Sequence, residues 1–151
     1  MILHQRINQD FKDALKSGDQ LRRSVLAMLK TTLLNKAIEK KNKDEPLDDS
    51  AVESIISSEV KKRRDAVTQY TKGGRSDLAN KEEQEAAILL AYLPQQLTEE
   101  EISGLVKEAV AQTKATSEKD FGKVMSVLAS QVKGRADGVL VAKIVKDRLM
   151  R

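Results

Sequence analysis

The sequence predicts an all-α protein, and three observations support this fold class. Its 151 residues include only seven Gly and two Pro, whereas the helix formers Ala, Leu, Lys and Glu are frequent. Apolar residues recur at three- and four-residue spacing, as on one face of a helix. Polar and apolar residues alternate over no more than a few positions, so no strand is predicted. We predict an N-terminal four-helix domain over residues 1–94, followed by a C-terminal three-helix bundle over residues 97–151.

The N-terminal region contains four predicted helices, and local signals mark several of their ends. Asp19 is predicted to cap the second helix, because its carboxylate can accept from N–H groups of the first turn. Pro94 closes the fourth helix, because proline disfavours helical geometry at the residue before it. Residues 40–46 include no apolar side chain and end in a proline, so an exposed loop is predicted there. The third helix has three candidate caps, Asp48, Asp49 and Ser50.

The C-terminal region begins with the clearest local signal in the chain. Thr98 and Glu101 have the spacing of a capping box, so a helix is predicted to begin there. Gly134 is predicted to end the sixth helix, because glycine readily adopts the left-handed conformation that closes a helix C-terminus. Asp137 is predicted to cap the seventh helix. The stretch KGRADG at residues 133–138 is therefore predicted to be a tight corner between two helices.

Positive charge is concentrated towards the two ends of the sequence. Residues 1–75 carry a formal net charge of +5, residues 76–122 of −6 and residues 123–151 of +5. This arrangement favours an anionic partner that binds at a defined place. Backbone N–H groups at residues 137–140, where the seventh helix starts, are also predicted to contact phosphate. Five cations outside the main apolar stripes are the candidate nucleic-acid-binding residues, Lys123, Lys133, Arg135, Lys143 and Lys146.

The composition excludes several classes of catalytic site. The chain has no cysteine, and therefore no disulfide, thiolate metal site or cysteine nucleophile. His4 is the single histidine and lies in the first turn of the chain, where we expect a surface position without a catalytic role. No phosphate-binding glycine loop and no nucleophile elbow is present. We predict no catalytic residue, no metal site and no cofactor.

The densest basic run covers residues 61–64. Four consecutive residues of a helix point to all sides, so we interpret this run as a solvated face and not as one binding patch. Arg63 lies at an apolar-stripe position, between Val60 and Val67. We predict that it forms an ion pair with Glu59, one turn earlier, while its aliphatic stem packs on the stripe.

Five motifs in this chain resemble those of the GatB/YqeY-domain proteins. They are KKRRD at residues 61–65, GRSDL at 74–78, YLPQQL at 92–97, FGKVM at 121–125 and KGRADG at 133–138. The motifs occur in the order typical of the family, and the resemblance covers essentially the whole chain. It implies an all-helical N-terminal domain followed by a three-helix tail. That tail is similar to the C-terminal domain of the B subunit of the glutamine-dependent aspartyl/glutamyl-tRNA amidotransferase.

The resemblance also implies a function. In that amidotransferase the tail domain helps to hold tRNA, whereas the amidase and the ATP-using centre lie in other domains and another subunit. Nothing in this chain resembles either catalytic centre. The first hypothesis is therefore a non-catalytic module that binds tRNA or associates with the amidotransferase. The expected partners are tRNA, the tRNA amidotransferase or the aminoacyl-tRNA machinery, and the tRNA-facing candidates are Lys123, Lys133, Arg135, Lys143 and Lys146.

Two alternatives stay open. One is a protein-interaction adaptor, in which the acidic segment 76–122 and the wide apolar arc of the second helix contact a partner protein. The other is an accessory role in glutamine-dependent carbon–nitrogen ligation. No apolar run approaches the roughly 20 residues that span a bilayer, so no membrane partner is expected. The sequence predicts a cytoplasmic protein and leaves its oligomeric state open.

Overall fold

The structure, a computed structural model, describes residues 2–40 and 47–150. Within these ranges it contains α-helices and no strand, which confirms the predicted all-α class. The predicted loop at residues 40–46 lies outside the described residues from position 41 onwards. A short 3₁₀ turn, Glu118–Asp120, precedes the helix that begins at Phe121. The helices are α1 Leu3–Ser17, α2 Gln20–Glu39, α3 Asp49–Lys72, α4 Ser76–Leu90, α5 Glu99–Thr113, α6 Phe121–Val132 and α7 Gly138–Leu149.

Contacts between the helices divide the chain into two compact units, with the boundary between Leu93 and Pro94. The first unit contains α1 to α4, and the second contains α5 to α7 with the 3₁₀ turn. Each unit has its own cluster of buried apolar side chains. The assignment of residues 1–94 and 97–151 as two domains stays a prediction.

The first unit is organised around the pairing of α3 with α4 and of α1 with α2. Asp19 caps α2 as predicted, with its carboxylate accepting from the Arg22 backbone N–H at 3.1 Å. Of the three candidate caps of α3, Asp48 is the one used, and it accepts from the Ala51 backbone N–H at 2.8 Å. The buried core residues are Ile7, Val25, Leu26, Leu29, Leu33, Val52, Ile56, Val60, Leu89 and Tyr92.

In the second unit, α6 packs against both α5 and α7. The predicted capping box is confirmed: the Thr98 hydroxyl accepts from the Glu101 N–H, and the Glu101 carboxylate accepts from the Thr98 N–H, both at 3.1 Å. Helix α6 ends at Val132, and Gly134 has the left-handed conformation predicted for it, with φ +72°. The buried core residues are Ile102, Val106, Ala109, Val124, Leu128, Val132, Val141, Val145 and Leu149.

Candidate nucleic-acid interface

The corner between α6 and α7 is held by the segment that precedes α5. The Leu97 N–H donates to the Arg135 carbonyl oxygen at 2.8 Å. The Gln96 side-chain amide donates to the Gly134 carbonyl oxygen at 2.8 Å, and the Arg135 guanidinium donates to the Gln95 carbonyl oxygen at 3.3 Å. Three hydrogen bonds therefore connect two segments that are about forty positions apart in the sequence, and they position the corner that carries two of the candidate cations.

The structure places the candidate cations along the α6–α7 pair and not in one compact patch. Lys146, near the end of α7, lies with its Nζ 5.9 Å from the ring centre of Phe121, at the start of α6. The two helices therefore run antiparallel, so that Lys123 and Lys146 lie towards one end and Lys133 lies at the corner. Ten residues separate Lys123 from Lys133, which corresponds to about 15 Å along a helix. The five cations are therefore spread along the length of this helix pair, and we call the exposed surface of α6, α7 and their corner the basic surface.

Among the residues that the structure describes, two of the five candidates have a polar or charged partner. Lys123 Nζ lies 3.9 Å from Asp120 Oδ1. The backbone N–H of Thr116, which donates to Asp120 Oδ2 at 2.9 Å, holds the pKa of that carboxyl below its usual range. Asp120 therefore stays ionised at neutral pH and offsets part of the Lys123 charge. Arg135 is half-buried and is engaged with Gln95, so part of its hydrogen-bonding capacity is already used.

The other three candidates carry the unneutralised charge of this surface. Lys133, Lys143 and Lys146 are exposed. Across the part of the chain that the structure describes, none of the three has a carboxylate within 4.0 Å. Lys143 and Lys146 are three residues apart on α7 and therefore share a face of that helix. An anionic ligand can contact these lysines without displacing an internal ion pair.

The start of α7 differs from the phosphate contact predicted at residues 137–140. Asp137 caps this helix, and its carboxylate accepts from the Val139 backbone N–H at 3.0 Å. A phosphate at the same N–H groups would have to displace this carboxylate and would meet a like charge. The geometry therefore argues against a phosphate contact there and leaves the side-chain cations as the candidate interface.

The basic run at residues 61–64 has a structural role that its spacing did not reveal. The predicted ion pair between Arg63 and Glu59 is wrong, because Glu59 pairs with Lys62 at 3.3 Å. Arg63 instead reaches across to α4, where it pairs with Glu82 at 3.1 Å and with Glu85. The guanidinium of Arg63 thus links α3 to α4. Two acidic residues three positions apart on α4 are the sequence signal for such a partner.

Three other features bear on function, namely the histidine, possible metal ligands and the length of the apolar helices. His4 is half-buried, and its Nδ1 lies 3.3 Å from the side-chain amide of Asn8, one turn later in α1. In residues 2–40 and 47–150, no three His, Asp or Glu side chains are grouped so that they could hold a metal ion. None of the helices described is both long enough and apolar enough to cross a membrane.

Comparison with known proteins gives a match over nearly the whole chain. A family model described as Yqey-like protein matches residues 4–149. The chain is also similar to proteins named "Altered inheritance of mitochondria protein 41, mitochondrial". In Eremothecium gossypii the identity is 34% over 87 residues, which is 58% of this chain and 46% of the relative. In Lachancea thermotolerans the identity is 31% over 113 residues, which is 74% of this chain and 59% of the relative.

A third relative with the same name matches over a longer stretch. The protein of Pyrenophora tritici-repentis is 27% identical over 145 residues, covering 94% of this chain and 78% of the relative. For the relative in Eremothecium gossypii and several others of that name, the chain spans about half the length of the relative.

The names of these relatives contradict the predicted cytoplasmic location, because each name specifies a mitochondrial protein. That prediction is wrong for a physical reason. It rested on the lack of cysteine and of a membrane-spanning run, and these features report on redox chemistry and on bilayer insertion. Neither feature distinguishes one aqueous compartment of a cell from another.

Proposed function

The chain belongs to the Yqey-like protein family, and we propose that it is a non-catalytic module that binds tRNA through the basic surface of α6 and α7. One observation carries the proposal. Lys133, Lys143 and Lys146 are exposed and have no carboxylate within 4.0 Å in the described parts of the chain. Each of them can neutralise a phosphate, with release of the counterions that were condensed on the RNA.

The surface favours contacts to the RNA backbone over contacts to unpaired bases. Single-strand binding requires aromatic rings that are open to stacking. Tyr92 is only 4% exposed. Phe11 has the ammonium group of Lys30 over its ring at 4.5 Å, and Phe121 has that of Lys146. Cations that are spread along this helix pair can instead contact several phosphates along a folded RNA.

A pair of matched variants tests the proposal. Replacement of Lys143 and Lys146 by Gln removes two cations from the basic surface, whereas replacement of Lys12 and Lys16 by Gln removes two exposed cations from α1, in the first unit. We expect the first variant to bind tRNA more weakly. The slope of log affinity against log salt should also become shallower by roughly 0.7 to 0.9 for each phosphate that the variant no longer neutralises.

The control variant should keep the affinity and the salt slope of the parent protein. If both variants lose the same affinity for tRNA, the affinity depends on the net charge of the protein alone. The proposed surface would then be rejected. Circular dichroism should give the same helicity for all three proteins, because all four lysines are exposed.

A second candidate function, a protein-interaction adaptor, is favoured by the apolar surface of α2. Three large apolar side chains of this helix are about half exposed, namely Met28, Leu34 and Ile38. Titration of purified tRNA amidotransferase with the parent protein and with a Leu34→Ser, Ile38→Ser variant tests this role. Binding that disappears in the variant, while tRNA binding persists, would support the adaptor function.

An accessory ligase role would further require that ammonia transfer or ATP turnover depends on this chain.

A further inference from the structure

A cavity of about 290 Å³ opens in the first unit, where the start of α2 lies beside α1 and the end of α4. Its wall combines apolar side chains, among them Leu21 and Ile88, with a cluster of polar groups from α1, α2 and Tyr92. Ligand sites for small molecules have this composition, mainly apolar with a few convergent polar groups, and they start at roughly 300 Å³. All the residues that line the cavity belong to the first unit, so an inference about the cavity does not rest on the proposed tRNA binding by the second unit.

The polar cluster has more donors than its acceptors can satisfy. Asp10 receives a hydrogen bond from the Tyr92 hydroxyl at 2.5 Å. The same carboxylate oxygen lies 3.5 Å from Arg22 Nη2 and 4.0 Å from Arg6 Nε. One carboxylate thus faces a phenol, which has one O–H donor, and two guanidiniums. Each guanidinium has five N–H donors. The Arg6 and Arg22 side chains are also 47% and 45% exposed, which leaves donors available at the cavity.

The second carboxylate of the cavity wall does not compensate for these donors. Asp19 also lines the cavity, so the formal charges of the wall cancel. However, Asp19 caps α2 and accepts from the Arg22 backbone N–H at 3.1 Å. Its negative charge is directed at the positive end of the helix dipole, and it forms no ion pair with either guanidinium.

The Arg6 guanidinium is already held in place. It lies over the ring of Tyr92, 4.8 Å from the ring centre, and its Nη2 donates to the Ala91 carbonyl oxygen at 3.3 Å. Tyr92 itself is almost fully buried and is fixed by Asp10. A ligand that binds to an ordered guanidinium loses less side-chain entropy than one that must first order it.

We propose that this cavity binds the oxyanion group, a carboxylate or a phosphate, of a small molecule whose apolar part contacts Leu21 and Ile88. Arg22 and Arg6 would donate to the oxyanion, because the planar guanidinium fork matches two oxygens of a carboxylate or a phosphate. A volume of about 290 Å³ suits a ligand of the size of a small metabolite. Asp10 and Tyr92 position the two arginines.

Backbone amide NMR of the full chain tests this proposal with three probes of similar shape. Phenyl phosphate and benzoate each carry an oxyanion on an apolar ring, whereas benzamide is a neutral analogue of benzoate. We expect saturable shifts at the amides of Arg22 and Tyr92 with one or both oxyanions and none with benzamide. Binding by only one of the two oxyanions identifies the group that the cavity prefers.

Variants at adjacent arginines provide the matched comparison. Arg22→Gln should weaken oxyanion binding by about tenfold, as expected when one charge-assisted hydrogen bond is removed. Arg23→Gln, at an exposed position that does not line the cavity, should bind as the parent does. Arg6→Gln is a second test if Arg22→Gln does not fold. The proposal is overturned if neither oxyanion gives saturable shifts at these amides, if benzamide binds equally well, or if the arginine variants retain the parent affinity.

Discussion

The guanidinium of Arg135 donates a hydrogen bond to the backbone carbonyl oxygen of Gln95, at a distance of 3.3 Å. Together with the bond from the Leu97 N–H to the Arg135 carbonyl oxygen, it holds the segment before α5 against the corner between α6 and α7. Lys133, two residues earlier, is exposed and has no carboxylate within 4.0 Å in the described part of the chain. The two candidate cations at this corner therefore differ in structural role.

This difference predicts unequal effects on stability. Arg135→Gln should lower the free energy of unfolding by about 0.5 to 1.5 kcal/mol, because it removes a hydrogen bond that joins two segments. Lys133→Gln should change it by no more than about 0.5 kcal/mol, as is usual for an exposed side chain. Urea denaturation of both variants measures the difference. Equal stabilities would contradict the structural role of Arg135.

Gly134 is predicted to be sensitive to substitution because of its backbone conformation. With φ at +72°, Gly134→Ala should cost about 1 to 2 kcal/mol. Steric crowding is not the cause, since an added Cβ would meet only Pro94 Cδ, at an ordinary 3.8 Å. Gly138→Ala is the control: Gly138 begins α7 without a positive φ, and nothing lies within 4 Å of its added Cβ. The control should be neutral or more stable than the parent by about 0.5 kcal/mol.

Asp48 and Ser50 can both act as a helix cap, but only Asp48 lies at the N-cap position of α3. Asp48→Ala should destabilise the protein by about 0.5 to 2 kcal/mol, because the Ala51 N–H loses its acceptor. Ser50→Ala should have an effect within about 0.5 kcal/mol, since Ser50 lies inside the helix. Thermal unfolding of the two variants measures both effects. A larger destabilisation by Ser50→Ala than by Asp48→Ala would place the N-cap of α3 two residues later.

Tyr92 should ionise at a higher pH than a free tyrosine. This shift in its pKa should make the stability of the protein depend on pH in the alkaline range. Burial raises the pKa of Tyr92 from 10.0 to about 12, with a further contribution from Asp10. The folded state thus disfavours the phenolate, so the stabilisation is complete below pH 10 and is lost as pH rises through about 12.

An absorbance titration measures this pKa when Tyr70→Phe leaves Tyr92 as the only tyrosine. Asp10→Asn in the same background should lower the midpoint, and Tyr92→Phe should reduce the loss of stability between pH 10 and 12. A Tyr92 midpoint near 10 in the folded protein would contradict the hydrogen bond to Asp10.

The features that local sequence predicts correctly are those that depend on a few consecutive residues. A capping box involves two residues three positions apart, so Thr98 and Glu101 can be identified from spacing alone. The same holds for the cap at Asp19 and for the left-handed Gly134. The exposed positions of Lys133, Lys143 and Lys146 follow from the period of the apolar stripes.

Side-chain partners across the fold cannot be predicted in this way. Helical spacing predicts Glu59 as the partner of Arg63, yet its partners on α4 lie 19 and 22 positions away in the sequence. The Tyr92 hydroxyl reaches Asp10 over 82 positions. Such contacts depend on how the helices pack, and no local rule of spacing contains that information.

The most direct test of the proposed function is the affinity of the full chain for tRNA and for duplex DNA, measured over a series of salt concentrations. We expect tighter binding to tRNA than to duplex DNA and an affinity that falls as the salt concentration rises. Contacts through Lys133, Lys143 and Lys146 would give a log–log slope of roughly −2 to −3. Equal affinity for the two nucleic acids, or no tRNA binding at near-physiological salt, would contradict it.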